Sequence, residues 1–254
     1  MCLILFAWDV HPQYKLVLLG NRDEFYRRPT AKADFWNDAP EVFAGRDLQA
    51  GGTWMGLNKN GKFSAVTNYR DFERFKPSTG FRSRGALVAD YLKEEKSAED
   101  YGKILEKEPE LYDGYNLLTG DFQNLFFFSN IEKKVKKIEP GIYGLSNHLL
   151  NTPWPKVVKG KNILSEVLHQ MDFDDLQLIQ MLYNVDHALD EELPDTGVGP
   201  ELERKLSSMF IKMDDYGTRR TSLLKISRDG KYYFTERTFD PDGAVEDVSV
   251  TIDI

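Results

Sequence analysis

The sequence predicts an α+β fold built from runs of strands separated by pairs of helices. Three observations carry this. β-rich segments cluster within 2–20, 42–69, 115–138 and 207–252. Two stretches near 83–108 and 154–185 carry helix signals instead. Tight-turn signals, Asn58-Lys59-Asn60-Gly61 and Asp229-Gly230, sit between neighbouring strand segments, where hairpins need them. Strand runs alternating with helix pairs fit a layered α+β domain better than βαβ units, and two sheets packed face to face with helices outside accommodate the order.

Taken in order, residues 2–10 and 14–20 read as a hairpin turning near His11-Pro12. Short strands are expected at 42–46, 53–57 and 62–69. A helix is expected to open at Ser83-Arg84-Gly85 and run to about residue 95. Ser97, with Glu99 and Asp100 behind it, starts a second helix with acids in its first turn, and that helix must end before Pro109. Strands return at 115–120, 124–129 and 134–138. Helical apolar spacing marks 154–169 and 174–185. The acidic, glycine-containing stretch 187–204 reads as a surface loop. Strands at 207–212, 219–227, 231–238 and 245–252 close the chain. With no repeat and no low-complexity linker, residues 1–254 read as one domain.

Of the 254 residues, 41% are hydrophobic and the net charge is -8. No long basic run is present, so nucleic acid is not an expected partner. The negative field disfavours anionic membrane surfaces. No stretch approaches the roughly 18 apolar residues of a membrane span. The start MCLILFAWDV lacks a basic n-region and is closed by Asp9 and His11, so it reads as a buried strand and not as a signal peptide. One cysteine excludes an internal disulfide and suits a reducing, cytoplasmic setting. The four histidines show no metal-ligand spacing, and neither a metal nor a cofactor is expected.

That one cysteine, Cys2, directly follows the initiator methionine. Removing Met1 places a thiol and a free amine on one residue. An α-amine with pKa about 8 can take the thiol's proton near neutrality, and the thiolate is the nucleophile. The other reading of Cys2 is a core residue, since free cysteine is commonly buried.

Four polar clusters interrupt the apolar segments. In Asn21-Arg22-Asp23-Glu24, an arginine could stabilise a thiolate and an aspartate could orient an ammonium, provided the first two strands pair; a solvated turn is the alternative. Gly51-Gly52-Thr53-Trp54 precedes Asn68, a strand-end asparagine able to donate to an oxyanion or simply to form a turn. Ser146-Asn147 lies between a strand and a helix, where capping would also explain it. Tyr216-Gly217-Thr218-Arg219-Arg220 makes an anion-friendly strand start, and with no Walker-type loop it does not imply a nucleotide. Cys2, Asn21, Arg22, Asp23, Asn68, Asn147 and Arg219 are expected to converge in one pocket, with Asn21, Trp54, Tyr69 and Thr218 as substrate contacts. Phe25, Trp36 and Trp54 near these motifs point to an apolar acyl group, with core packing as their alternative role.

These segments together carry a resemblance. Met1-Cys2-Leu3-Ile4, Asn21 to Tyr26, Gly51 to Trp54, Thr67-Asn68-Tyr69, Tyr143 to Asn147 with Thr152-Pro153-Trp154, Tyr216 to Arg219, and Phe234-Thr235-Glu236-Arg237 occur in this order. The chain closely resembles the NRDE family, also called the transport and Golgi organization protein 2 family, over nearly its whole length. That family is similar to the N-terminal-nucleophile hydrolases that begin with cysteine, such as penicillin V acylase, bile salt hydrolase and acid ceramidase. The resemblance implies a four-layer αββα sandwich of two antiparallel sheets flanked by helices. It implies a catalytic set of Cys2, Arg22, Asp23, Asn68, Asn147 and Arg219, and hydrolysis of a non-peptide amide or thioester of a small acyl compound. Those enzymes order the second cluster Arg-Asn-x-Asp, whereas this chain reads Asn-Arg-Asp-Glu. Animal members of the NRDE family are associated with secretory-pathway organisation and with haem and lipid handling. The resemblance therefore implies an alternative, a non-catalytic carrier of haem or an acyl lipid, and the absence of a CxxCH segment excludes covalent haem.

Overall fold

The computed structural model describes residues 2–71, 80–170 and 173–254. Its strands are β1 (Cys2–Trp8), β2 (Tyr14–Phe25), β3 (Thr30–Trp36), β4 (Ala39–Asp47), β5 (Met55–Asn58), β6 (Phe63–Asn68), β7 (Tyr115–Gly120), β8 (Leu125–Ser129), β9 (Lys134–Lys137), β10 (Gly141–Leu145), β11 (Tyr216–Ser227), β12 (Lys231–Asp240) and β13 (Gly243–Asp253). Its helices are α1 (Gly85–Lys93), α2 (Ala98–Lys107), α3 (Pro155–Leu168), α4 (Asp175–Met181) and α5 (Pro200–Leu206). One sheet runs β10-β1-β2-β11-β12-β13, the other β3 to β9 in chain order, and every pairing in both is antiparallel.

Every residue of β1 is buried, because both of its faces are covered. Alternation sends Ile4 and Phe6 into the core between the sheets, with Leu16 and Leu18 of β2 and with Phe43, Leu57 and Phe63 of the second sheet. It sends Leu3 and Leu5 the other way, against Val157 and Leu164 of α3 and Leu178 of α4. On the far side, Leu87, Val88 and Tyr91 of α1 join the core, and the Tyr101 hydroxyl of α2 donates to the Leu87 carbonyl. The result is the αββα sandwich. Among the described residues, no helix is long and apolar enough to cross a membrane.

Several elements differ from the sequence expectation. β2 continues to Phe25, because β11 runs beside it as far as Tyr216. β3 was not expected: Pro29 and the polar Lys32 and Asp34 disguise an outer strand that is only half buried. β10 hides behind two glycines, yet a Cβ on Gly144 would come within 2.7 Å of the Val157 side chain, so the glycine lets α3 approach the strand. α5 lies inside the expected loop and begins with Pro200 at its first turn, where proline fits a helix. The expected strand 207–212 is irregular. Two of its polar groups are taken by side chains, the Met209 carbonyl accepting from Asn21 and the Ile211 N–H donating to the Thr218 hydroxyl, while the Phe210 N–H and the Ile211 carbonyl bond to the backbone of Asn184 and Thr218.

Gly52 fixes where α1 begins. The Thr53 N–H donates to the Gly85 carbonyl, and a Cβ on Gly52 would fall 2.4 Å from the Gly85 carbonyl carbon. Gly52→Ala is therefore expected to destabilise the protein by about 1–3 kcal/mol, the usual range for forcing a methyl into packed structure. Equilibrium urea denaturation measures it.

Candidate active site

The β1–β2 hairpin is in a register that sets Cys2 opposite Arg22. Both residues therefore share the face of Ile4 and Phe6, toward the second sheet. Asp23 lies one residue beyond the Cys2–Arg22 pair, the first described pair of β1 and β2. β11 flanks β2 and pairs Arg220 with Arg22 and Thr218 with Asp23. A β-bulge intervenes, and Arg219 is the extra residue.

Above Cys2 opens a cavity of about 420 Å³. Cys2, Arg22 and Asp23 form one side with Arg220 and Glu236. Trp54, Val66 and Asn68 face them from the other sheet, and Ser83 to Gly85 close a wall at the start of α1. Cys2 is 7% exposed. Burial pushes its thiol up and the Asp23 carboxylate adds to that; the Arg22 guanidinium and the Asp23 backbone N–H act in the opposite direction. Burial likewise raises the Asp23 carboxyl, against the pull of Lys156, the Thr218 hydroxyl and Arg22. The Thr218 hydroxyl donates to Asp23 Oδ1 at 2.7 Å.

The expected site residues divide into two groups. Cys2, Arg22, Asp23, Asn68 and Trp54 line the cavity. Asn21, Asn147, Arg219, Tyr69 and Thr218 do not, which corrects the expectation of a single converging set. Asn21 is on the opposite face of β2, wholly buried, with its amide donating to the Leu182 and Met209 carbonyls and its oxygen accepting from Thr221. Asn147, also fully buried, donates to the Asn68 carbonyl at 3.0 Å and so stands one step behind the cavity. Arg219 is turned away by the bulge and donates to the Phe25, Tyr26 and Arg28 carbonyls. The Tyr69 hydroxyl is hydrogen-bonded to His148 Nε2 at 2.8 Å. Thr218 acts through Asp23. The expected apolar lining is also corrected. Trp36 is in the core, its indole N–H donating to the Ala44 carbonyl, and Phe25 is exposed. Charged side chains dominate the cavity instead.

Sequence reasoning missed Arg84, Asp47 and Lys156, and placed Arg219 where Arg220 stands. Only a bulge distinguishes two adjacent arginines, and nothing in the sequence marks it. Glu236 was legible as part of the Phe234-Thr235-Glu236-Arg237 segment. It forms an ion pair with Arg220 at 3.4 Å, accepts from the Ala33 N–H, and is held above the usual carboxylate range by burial despite Arg220.

Two antiparallel sheets between helix layers make the αββα sandwich that is the fold of the N-terminal-nucleophile hydrolases. The structure is similar to the C2A mutant of conjugated bile acid hydrolase from Clostridium perfringens, with a TM-score of 0.55 and 10% identity, covering 100% of this chain and 92% of that one. It is also similar to a Caenorhabditis elegans N-acylethanolamine-hydrolyzing acid amidase ortholog, with a TM-score of 0.50 and 11% identity over 77% of this chain and 95% of that one. At such identities the likeness is one of fold. The chain belongs to the transport and Golgi organisation 2 family, whose model matches residues 1–241. The bovine transport and Golgi organization protein 2 homolog is 36% identical over 263 residues, and the human homolog 33% over 261, each alignment covering 94% of this chain and 93% of the relative.

Lys156, at the start of α3, is 4% exposed and donates to the Leu206 carbonyl at 2.8 Å. Burial pushes its ammonium down to about 8, while Asp23 pulls it back up. Between that value and the ordinary lysine range, the unfolded chain keeps a proton that the folded one has lost, so this group makes stability rise with pH. Comparing wild type with Lys156→Met by urea denaturation should show the wild type gaining roughly 2 kcal/mol relative to the variant between pH 7.5 and 9.5. A pH-independent offset from the lost hydrogen bond lies beneath it.

Proposed function

We propose that this chain is an N-terminal-cysteine hydrolase that cleaves a non-peptide amide or thioester of a small acyl compound, with residues 1–254 acting as one domain in a reducing, cytoplasmic setting. The observation that carries the reading is the position of the chain's only thiol. Cys2 opens a central strand, lines a cavity, and has Arg22 across the hairpin and Asn68 in the facing sheet. The solved neighbours accord with it, since one is named a hydrolase of conjugated bile acids and the other of N-acylethanolamines.

In this reading Met1 is removed and the freed amine of Cys2 takes the thiol proton. Sγ attacks the acyl carbon and an S–C bond forms. The Asn68 amide donates to the oxyanion, and Arg22 offsets the negative charge at the thiolate. The ammonium returns its proton to the leaving nitrogen or sulfur as the C–N or C–S bond breaks. Water then adds to the thioester, the acid departs, and the thiol is restored. Asp23 holds the ammonium, with Thr218 fixing the carboxylate. Asn147 positions Asn68 through its carbonyl. Arg220 takes the place first expected for Arg219, which braces the turn after β2. Asn21 and Tyr69 serve packing around the site.

Intact mass spectrometry is expected to find Cys2 as the first residue of active protein; active protein that retains Met1 would refute the mechanism. In a panel of N-acyl amides and acyl thioesters, Cys2→Ala should abolish turnover. Asn68→Ala should lower kcat by roughly a hundredfold or more, the usual loss for one oxyanion donor. Haem or acyl-lipid binding that survives Cys2→Ala, with no turnover of any panel member by wild type, would favour the carrier alternative.

A further inference from the structure

The chain carries a net charge of -8, yet six arginines line this cavity, against five carboxylates. Most of the arginines are committed. Arg46 and Arg82 pair with Asp38 and Asp90, which are not among the cavity residues. Arg28 binds Asp47 at 2.6 Å, and Arg220 spends its donors on Glu236, the Thr30 hydroxyl and the Arg219 carbonyl. Arg22 and Arg84 are different. Arg22 reaches Glu24 and Asp47 only at 3.4 Å, both through Nη2. Its Nη1 is buried and has no hydrogen-bond partner among the described residues. Arg84 donates to the Gly114 carbonyl at 3.1 Å, but its nearest carboxylate, Asp113, is 3.7 Å away, beyond hydrogen-bond reach.

Arg84 also stands at the N-cap of α1. That helix end has no side-chain cap and no acidic residue in its first turn. Ser83, Arg84 and Gly85 form the cavity wall there, so the positive end of the helix dipole is presented beside Arg84. Trp54 lines the same cavity, and its indole N–H is buried without a partner among the described residues. Arg22, Trp54, Arg84 and the start of α1 thus border the same space over Cys2 from its different walls. Two guanidinium forks and a helix N-terminus match a planar carboxylate, which accepts bidentate hydrogen bonds.

We infer that the molecule this site takes carries a compact carboxylate, held by Arg22, Arg84 and the start of α1 beside the Cys2 thiol. The inference rests on the hydrolase reading only in calling that molecule a substrate. It replaces an apolar group with an anionic one as the feature recognised next to the reacting atom.

The chain's single thiol allows a direct test. Iodoacetate and iodoacetamide both alkylate a thiolate with loss of iodide, and they differ only in carrying a carboxylate or an amide. Their rate ratio at Cys2 cancels the thiolate fraction and isolates recognition of the anion. Relative to the ratio for N-acetylcysteine, the ratio for Cys2 should be raised roughly tenfold or more, the scale of a charge-assisted hydrogen bond. Arg84→Gln should bring it back toward the reference, and Arg84→Lys should keep part of it. A wild-type ratio at the reference value overturns the inference without recourse to any variant. So does a raised ratio that Arg84→Gln leaves intact in a protein with unchanged circular dichroism, and so does a Cys2 that resists both reagents. Alkylation needs neither turnover nor a free amine. A protein that hydrolyses nothing can therefore still show the preference, and an active hydrolase with an unselective thiol would lose only the carboxylate.

Discussion

The register of three neighbouring strands, β1, β2 and β11, is the constraint on which the site depends. Backbone pairing sets Cys2 beside Arg22 and Arg22 beside Arg220, so one row of side chains across the sheet faces the cavity. A slip of one residue would turn that row outward and bring Leu3, Asn21 and Thr221 into the cavity instead. The register is held by what those three residues do where they are. Leu3 packs in the outer core, and Asn21 and Thr221 bond to each other with both Asn21 N–H donors spent on carbonyls. The apolar Leu3 and the saturated Asn21 on the outer face thus fix the cavity face by fixing its reverse.

The charged cavity sits in surroundings that make ionisation costly. Burial raises Cys2, Asp23 and Glu236 and lowers Lys156, Arg84 and Arg220, each shift working against the charged form. Opposite charges restrain each of these shifts. Lys156 approaches Asp23 from the α3 side, Arg22 from the cavity side. The same arrangement recurs just behind, where Arg70 and Glu203 form a buried pair at 2.7 Å and Thr196 donates to Glu203. That pair ties α5 to the segment after Asn68, so a helix in what reads as a surface loop is anchored to the strand that carries a cavity residue.

The layered fold was legible because its signals are local: the continuous β-rich apolar runs of β1 and β2, the Asn58–Gly61 and Asp229-Gly230 turns, and Ser97 as a cap. Cys2, Arg22, Asp23 and Asn68 were legible because a hairpin and a strand end place them by counting residues. The choice between Arg219 and Arg220 was not, since a bulge shifts the count by one without altering composition. Nor was the charged lining. Arg84 reaches the cavity because Gly52 lets the backbone of α1 come within contact of the Gly51-Gly52-Thr53-Trp54 segment, a relation between segments about thirty residues apart that no local pattern encodes. Phe25 and Trp36 misled because proximity in sequence to a motif says nothing about which face a strand residue takes. Residues 72–79, just after the segment carrying Asn68, lie outside the described structure.

The same geometry accounts for the order of the polar cluster. The resemblance sets Arg-Asn-x-Asp in the cysteine-first enzymes against Arg22-Asp23 here, an arginine and an aspartate three apart in one and adjacent in the other. Both separations are odd, so in an extended strand both place the arginine and the aspartate on opposite faces. Arg22, level with Cys2, belongs to the cavity face. Asp23 belongs to the other face by alternation, yet it also lines the cavity, one residue beyond the Cys2–Arg22 pair. A carboxylate there stands one step beyond the Cys2–Arg22 pair.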